Sequence, residues 1–214
     1  MTNLLHRQGD RDFLKKDFLI KNKTTKKFDD ITPEIRKQTI EKTRELIRIL
    51  WKYHPDNIGQ GRIGCRAAGV SIEELLKGVE NAGSLSASVF RDISTVKEIL
   101  QELKEKNLGQ SITVSGLIEE VFEICRQIGQ EPHSILLSLG IWGKKEKLPP
   151  SEVLRITTMC GHGCVSRRLV ENVTRKVKSG EITDTDAAKH IARPCSCGAV
   201  NVSSVVGLLS NKTD

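Results

Sequence analysis

Two short cysteine loops, Cys160-Gly-His-Gly-Cys164 and Cys195-Ser-Cys197-Gly198, constrain this chain more than any other feature. They hold four of its six cysteines. The stretch between them reads as a helical hairpin. Ser166 caps a helix whose apolar positions Leu169, Val170, Val173 and Val177 recur at helical spacing, and Gly180 stops it. Thr183 caps a second helix, with Asp186 three residues on and Ala187, Ala188, Ile191 and Ala192 as its buried stripe. Pro194 ends that helix. Antiparallel helices joined by a short turn bring the start of one beside the end of the other. Both loops therefore fall at one end of the hairpin, as a four-thiolate metal site requires.

The spacing also bears on the metal. The C-x₃-C pair fits a zinc knuckle, whereas C-x-C bites more tightly than such knuckles do. Iron–sulfur clusters accept close spacings, because neighbouring thiolates bind the same or different irons. Glycines 161, 163 and 198 let backbone amides approach the sulfurs. A helix N-terminus and Arg167, Arg168 and Arg193 add positive charge around an anionic cluster. The expected ligands are Cys160, Cys164, Cys195 and Cys197, holding a [2Fe–2S] cluster in preference to [4Fe–4S], with zinc as the alternative. His162 reads as a hydrogen-bond donor or loop residue, with replacement of one thiolate as its other role.

On these residues the stretch 160–197 resembles the [2Fe–2S] modules of bacterioferritin-associated ferredoxins and the central domain of nitrogen-fixation scaffold proteins. In those families a C-x-C pair and a later C-x₂-C pair flank a helical hairpin. Here the close pair comes second and the other is C-x₃-C. The resemblance implies a cluster held between the two loops.

Composition sets the surroundings. The chain has 214 residues, room for one large or two small domains, and no run long enough to span a membrane. Six cysteines without a signal peptide point to a reducing cytoplasm, where clustered thiols mean metal or redox chemistry. The net charge of +7 is concentrated at the front. Lys15, Lys16, Lys21, Lys23, Lys26 and Lys27 make residues 1–30 a basic, partly disordered segment by this reading. Charge without a stacking platform or reading motif argues against nucleic acid as the main partner.

The middle of the chain reads as α/β. A helix runs from Thr32-Pro33 to Tyr53 and stops at His54-Pro55-Asp56-Asn57. Gly59-Gln-Gly61-Arg62-Ile-Gly64-Cys65-Arg66 follows, which formally satisfies G-x-G-x-x-G but has a helix, not a strand, before it. Gly61, Arg62, Gly64 and Arg66 suggest an anion-binding loop, with Cys65 as a candidate nucleophile of lowered pKa. Helices capped by Ser71 and Ser94 come next. Then residues 111–115, the helix 117–128 and the run 133–139 read as strand, helix and strand, a parallel βαβ unit. Lys144 to Pro150 reads as a linker.

The expectation is thus a helix-rich α/β domain over 31–143 with a parallel βαβ unit, followed by a small all-α cysteine-ligated domain over 151–210. The function expected is electron transfer or redox sensing with a partner protein. The alternatives are an enzyme acting on a small anionic substrate beside Cys65, and a structural zinc domain in a nucleic-acid-associated or other interaction protein.

Overall fold

A computed structural model describes residues 7–24, 32–80 and 86–210. The basic positions Lys26 and Lys27 lie outside the described residues. In chain order the elements are α1 (Arg11–Leu14), β1 (Phe18–Thr24), α2 (Pro33–Lys52), β2 (Asn57–Gln60), β3 (Gly64–Cys65), α3 (Ile72–Lys77), β4 (Ser86–Phe90), α4 (Ile93–Lys106), β5 (Gln110–Ser115) and α5 (Ile118–Gln127). A long irregular stretch then leads to α6 (Ser151–Cys160), α7 (Arg167–Lys178), α8 (Asp184–Ala192) and α9 (Val202–Ser210).

The strands form one antiparallel sheet in the order β3-β2-β4-β1-β5. Strand β1 is interior: Leu19 pairs with Val89 on one side and Ser115 on the other. The stretch expected to be part of a loose basic tail therefore supplies an interior strand, and Phe18, Leu19 and Ile20 are fully buried. Successive side chains of a strand point to opposite faces. Phe18, Ile20, Ile58 and Phe90 pack with α2, α3, α4 and α5. Leu19, Ala87 and Val89 pack with α6 through α9. The molecule is a three-layer sandwich, with the sheet between two helical layers.

This arrangement corrects two expectations. The helices around the cysteines are not a separate all-α domain, because they share one core with the sheet. The sheet also contains no parallel βαβ unit. Residues 133–139 take no regular structure, and Ile135, Leu136, Leu137, Leu139 and Trp142 are exposed, Leu139 by 83%. A short apolar run has the composition of a buried strand, but a strand exists only where a neighbour pairs with it.

The helices follow their local signals. Thr32, Ser71, Ser166 and Thr183 each accept a backbone N–H at a helix start, and Ser71 forms a capping box with Glu74. Helix α4 is capped by Asp92 rather than Ser94. Among the described residues no helix is long and apolar enough to cross a membrane.

Candidate metal centre

The cysteine loops meet on the sheet face covered by α6–α9. Cys160 is the last residue of α6, and Gly161 ends that helix in the left-handed region at φ 64°. Cys164 lies just before the N-terminus of α7, while Cys195 and Cys197 follow α8. Cys160 and Cys195 are buried, Cys197 is half-buried and Cys164 is exposed. The Cys195 and Cys197 sulfurs are 3.6 Å apart, and the Nδ1 of His162 is 3.6 Å from the Cys197 sulfur. Hydrogen bonding between side chains also links Cys160 to Cys195 and to Cys164. The thiols thus form a chain of neighbours, Cys164–Cys160–Cys195–Cys197. Among the described residues no three His, Cys, Asp or Glu side chains converge as ligands of one metal ion.

The protons are shared unequally along that chain. The Cys195 thiol, between two sulfurs, holds Cys160 down to about 5 against the opposing effect of burial, with help from the backbone amides of His162 and Cys164. Cys195 lowers Cys197 in the same way to about 6, again against burial, and the Ala199 amide and His162 assist. Cys195 itself is pushed far up by its bonds to Cys160 and Cys197, so it keeps its proton. Cys164 is raised by burial and by the negative charge of Cys160. Two thiolates stabilised by neighbouring donors are what a cationic metal needs from its ligands.

Three features that hold the loops in place were invisible in the sequence. The first is the segment His54-Pro55-Asp56-Asn57-Ile58-Gly59, which reads as a helix stop running into the glycine-rich stretch. Asp56 accepts the backbone N–H of Ser203 at 3.1 Å and so caps α9. Asn57, fully buried, donates to the Val200 carbonyl at 3.1 Å and accepts the amides of Ile58 and Ala67. Gly59 is packed directly on the Cys195–Gly198 loop.

The second is Arg7. Its side chain is 6% exposed and pairs with the fully buried Asp17. It also donates to the carbonyls of Met159 and Ala199. Met159 precedes Cys160 and Ala199 follows the second loop, so one guanidinium ties both cysteine segments to the start of β1. The third is Asn201, buried, which donates to Asp17 at 3.0 Å and to the Lys16 carbonyl at 2.9 Å. No sequence signal marks such long-range partners.

The glycine-rich stretch is a hairpin. Gly59 pairs with Cys65 and Gln60 with Gly64, leaving Gly61 and Arg62 at the turn. Arg66 donates to the Pro55 carbonyl at 3.0 Å and stacks 5.2 Å from the Trp51 ring. It is therefore committed elsewhere, and Gly61, Arg62, Gly64 and Arg66 do not combine into a phosphate cradle at a helix N-terminus. Cys65 is fully buried, with its sulfur 3.9 Å from the Ala192 carbonyl. Burial pushes its thiol up, opposite to the lowered pKa expected of a nucleophile. It supports the end of α8 from below, where Ala192 also accepts the amide of Cys195.

No family model matches this sequence, and comparison with curated proteins and with solved structures gives no significant match.

Proposed function

We propose that Cys160, Cys164, Cys195 and Cys197 hold an iron–sulfur cluster through which the protein transfers electrons or reports redox state to a partner. The reading rests on one observation above others: four thiols from three helix ends form a run of neighbours, with the Cys195 and Cys197 sulfurs 3.6 Å apart. They are strung out rather than gathered on one point. A cluster shared between irons suits such a string better than a single ion does. The bound cluster supplies a one-electron couple. The chain supplies the thiolates, the amides of His162, Cys164 and Ala199 around them, and the arginines that offset negative charge.

Zinc is the second reading, and one distance fits it. The 3.6 Å separation of the Cys195 and Cys197 sulfurs is close to the edge of about 3.8 Å that Zn–S bonds of about 2.3 Å give a tetrahedron. The two readings part on metal content. Protein purified without oxygen should be coloured, contain iron and acid-labile sulfide, and bleach on reduction. Colourless protein with stoichiometric zinc establishes the second reading, and protein with neither metal sinks both. Replacing Cys160 and Cys195 by Ser should abolish metal binding, whereas Cys65→Ser and Cys125→Ser should leave it intact.

A further inference from the structure

Strand β5 closes one side of the sheet, since it pairs with β1 and with no further strand among the described residues. Its sequence, Gln110-Ser-Ile-Thr-Val-Ser115, carries no charge, so the edge lacks the lysines that commonly keep a strand from pairing with another chain. A cavity of about 1010 Å³ opens beside it. Ile112 and Val114 of β5, Phe122 and Cys125 of α5, and Ile135 and Leu137 of the irregular stretch line this cavity. Ile112 and Val114 face the α2–α5 layer, where they are only partly buried. The irregular stretch leaves from a fixed point, because Lys104 donates to the carbonyls of Ile128 and Gly129 at 2.6 and 3.0 Å. From there His133-Ser-Ile135-Leu-Leu137-Ser-Leu139 alternates as a half-buried strand does, yet Ile135 is 54% and Leu137 64% exposed. No Asp, Glu, Lys or Arg stands between Glu131 and Lys144. In one copy the run lies on the cavity wall and does not join β5.

An uncharged open edge and an uncharged strand-like run that no strand pairs are complementary, and every copy of the chain carries both. We propose that two copies meet here reciprocally, the run 133–139 of each adding as a strand to the β5 edge of the other. Ile135, Leu137 and Leu139 then enter the cavity of the other copy in line with Ile112 and Val114, and strand alternation sends Leu136 to the opposite face. The lengths match, since β5 spans 110–115 and the run spans 133–139. An added strand also supplies what an apolar molecule filling the cavity lacks, a row of donors and acceptors for the β5 backbone. Gly129 at φ 62° and Gly140 at φ 84° flank the run and take backbone angles at which the chain turns. The exchange closes with two copies, because each contact is made twice about a two-fold axis. A chain of net charge +7 repels its copy, which confines the contact to this uncharged patch and leaves dilute protein monomeric with the run exposed. The contact does not depend on the metal.

Sedimentation equilibrium of the full chain, kept reduced so that no disulfide joins two copies, reads the mass. It should rise from 23.8 kDa toward twice that value as concentration increases about a hundredfold. Hydrogen exchange should slow together at residues 111–114 and 135–137 in the concentrated protein, by at least about tenfold relative to the dilute protein. Ile135→Lys/Leu137→Lys should raise the dissociation constant at least about tenfold, because a buried unpaired ammonium is costly, and leave the melting temperature of dilute protein unchanged. Leu148→Lys, at an exposed apolar position beyond the run, should dimerise as the wild-type protein does. A monomer at every concentration overturns the proposal, whether the run is then protected by pairing within its own chain or a solvent extract yields an apolar molecule from the cavity. So does a dimer whose protection falls elsewhere, or a double lysine variant that dimerises like the wild type. The exchange measurement needs no variant, so a misfolded one leaves the test standing.

Discussion

Gly59 of β2 and Gly198 after the second cysteine pair meet backbone to backbone. A Cβ on Gly59 would stand 2.7 Å from the Gly198 nitrogen, and a Cβ on Gly198 would stand 2.5 Å from the Ile58 carbonyl carbon. Gly198 also has a φ of 79°. The contact lets the second cysteine loop lie flat on the face of the sheet at β2, and it explains a glycine that the sequence offers only as part of a nucleotide-binding pattern. Its position follows from strand alternation. Ile58 points to the α2 layer, so its neighbours Asn57 and Gly59 face the cysteine loop.

Gly59→Ala and Gly198→Ala should each destabilise the protein by about 1–3 kcal/mol or more, because backbone rather than a flexible side chain must give way. Gly198→Ala carries the added cost of a left-handed backbone. Gly61→Ala, with nothing within 4 Å of its Cβ position, is the silent control. Urea unfolding of the three variants orders them, and metal content should fall with stability in the first two.

Arg7→Met should cost about 3–5 kcal/mol, since it leaves the buried carboxylate of Asp17 without its cation and frees the Met159 and Ala199 carbonyls. Asp17→Leu should cost a similar amount by stranding the guanidinium. The double variant Arg7→Met/Asp17→Leu should be milder than the sum of the two single changes. Denaturant melts of the four proteins supply the cycle.

In the reduced, metal-free protein, Cys160 and Cys197 have pKa values lowered to about 5 and about 6. A lowered folded-state value means stability that is fully present above the unfolded-state pKa of the thiol and lost as pH falls through the folded one. Stability of the metal-free protein should therefore decline on acidification from about pH 9, the ordinary thiol value, down to about pH 5, whereas thiolate ultraviolet absorbance of the folded protein should fade only between about pH 6 and about pH 5. Absorbance that appears only near the ordinary thiol pKa would show that Cys195 does not act as donor. Cys65, raised by burial, should contribute no thiolate at neutral pH.

Chymotrypsin should cut the native protein first after Leu136, Leu137, Leu139 or Trp142. The segment lies outside the sheet and its large side chains are exposed, Trp142 by 80%. Leu139→Ser should change stability by less than about 0.5 kcal/mol, as expected for a surface position. Mass spectrometry of early fragments and a urea melt check the two statements. A cost of several kcal/mol for Leu139→Ser would mean that the segment is buried in solution.

The helices and the meeting of the two cysteine loops were legible from residues alone. Ser166, Thr183 and Ser71 start helices through bonds that span three residues, and the apolar stripes of α7 and α8 recur within each helix. Such signals are local, so the sequence carries them openly. Even the end of the hairpin at which the thiols collect follows from its short turn.

The tertiary structure alone decided what the strands pair with. Phe18-Leu19-Ile20 and His133-Ser-Ile-Leu-Leu-Ser-Leu139 are similar short apolar runs, yet the first is threaded between β4 and β5 and the second lies exposed. Ladder hydrogen bonds come from residues far away in the chain, so a run's composition states its fitness for a sheet and not its place in one. The same holds for Arg7, Asn57 and Gly59, whose partners near the cysteines lie more than a hundred residues away. Their roles arise only when the chain brings the start of β1, the β2 strand and the two loops to one place.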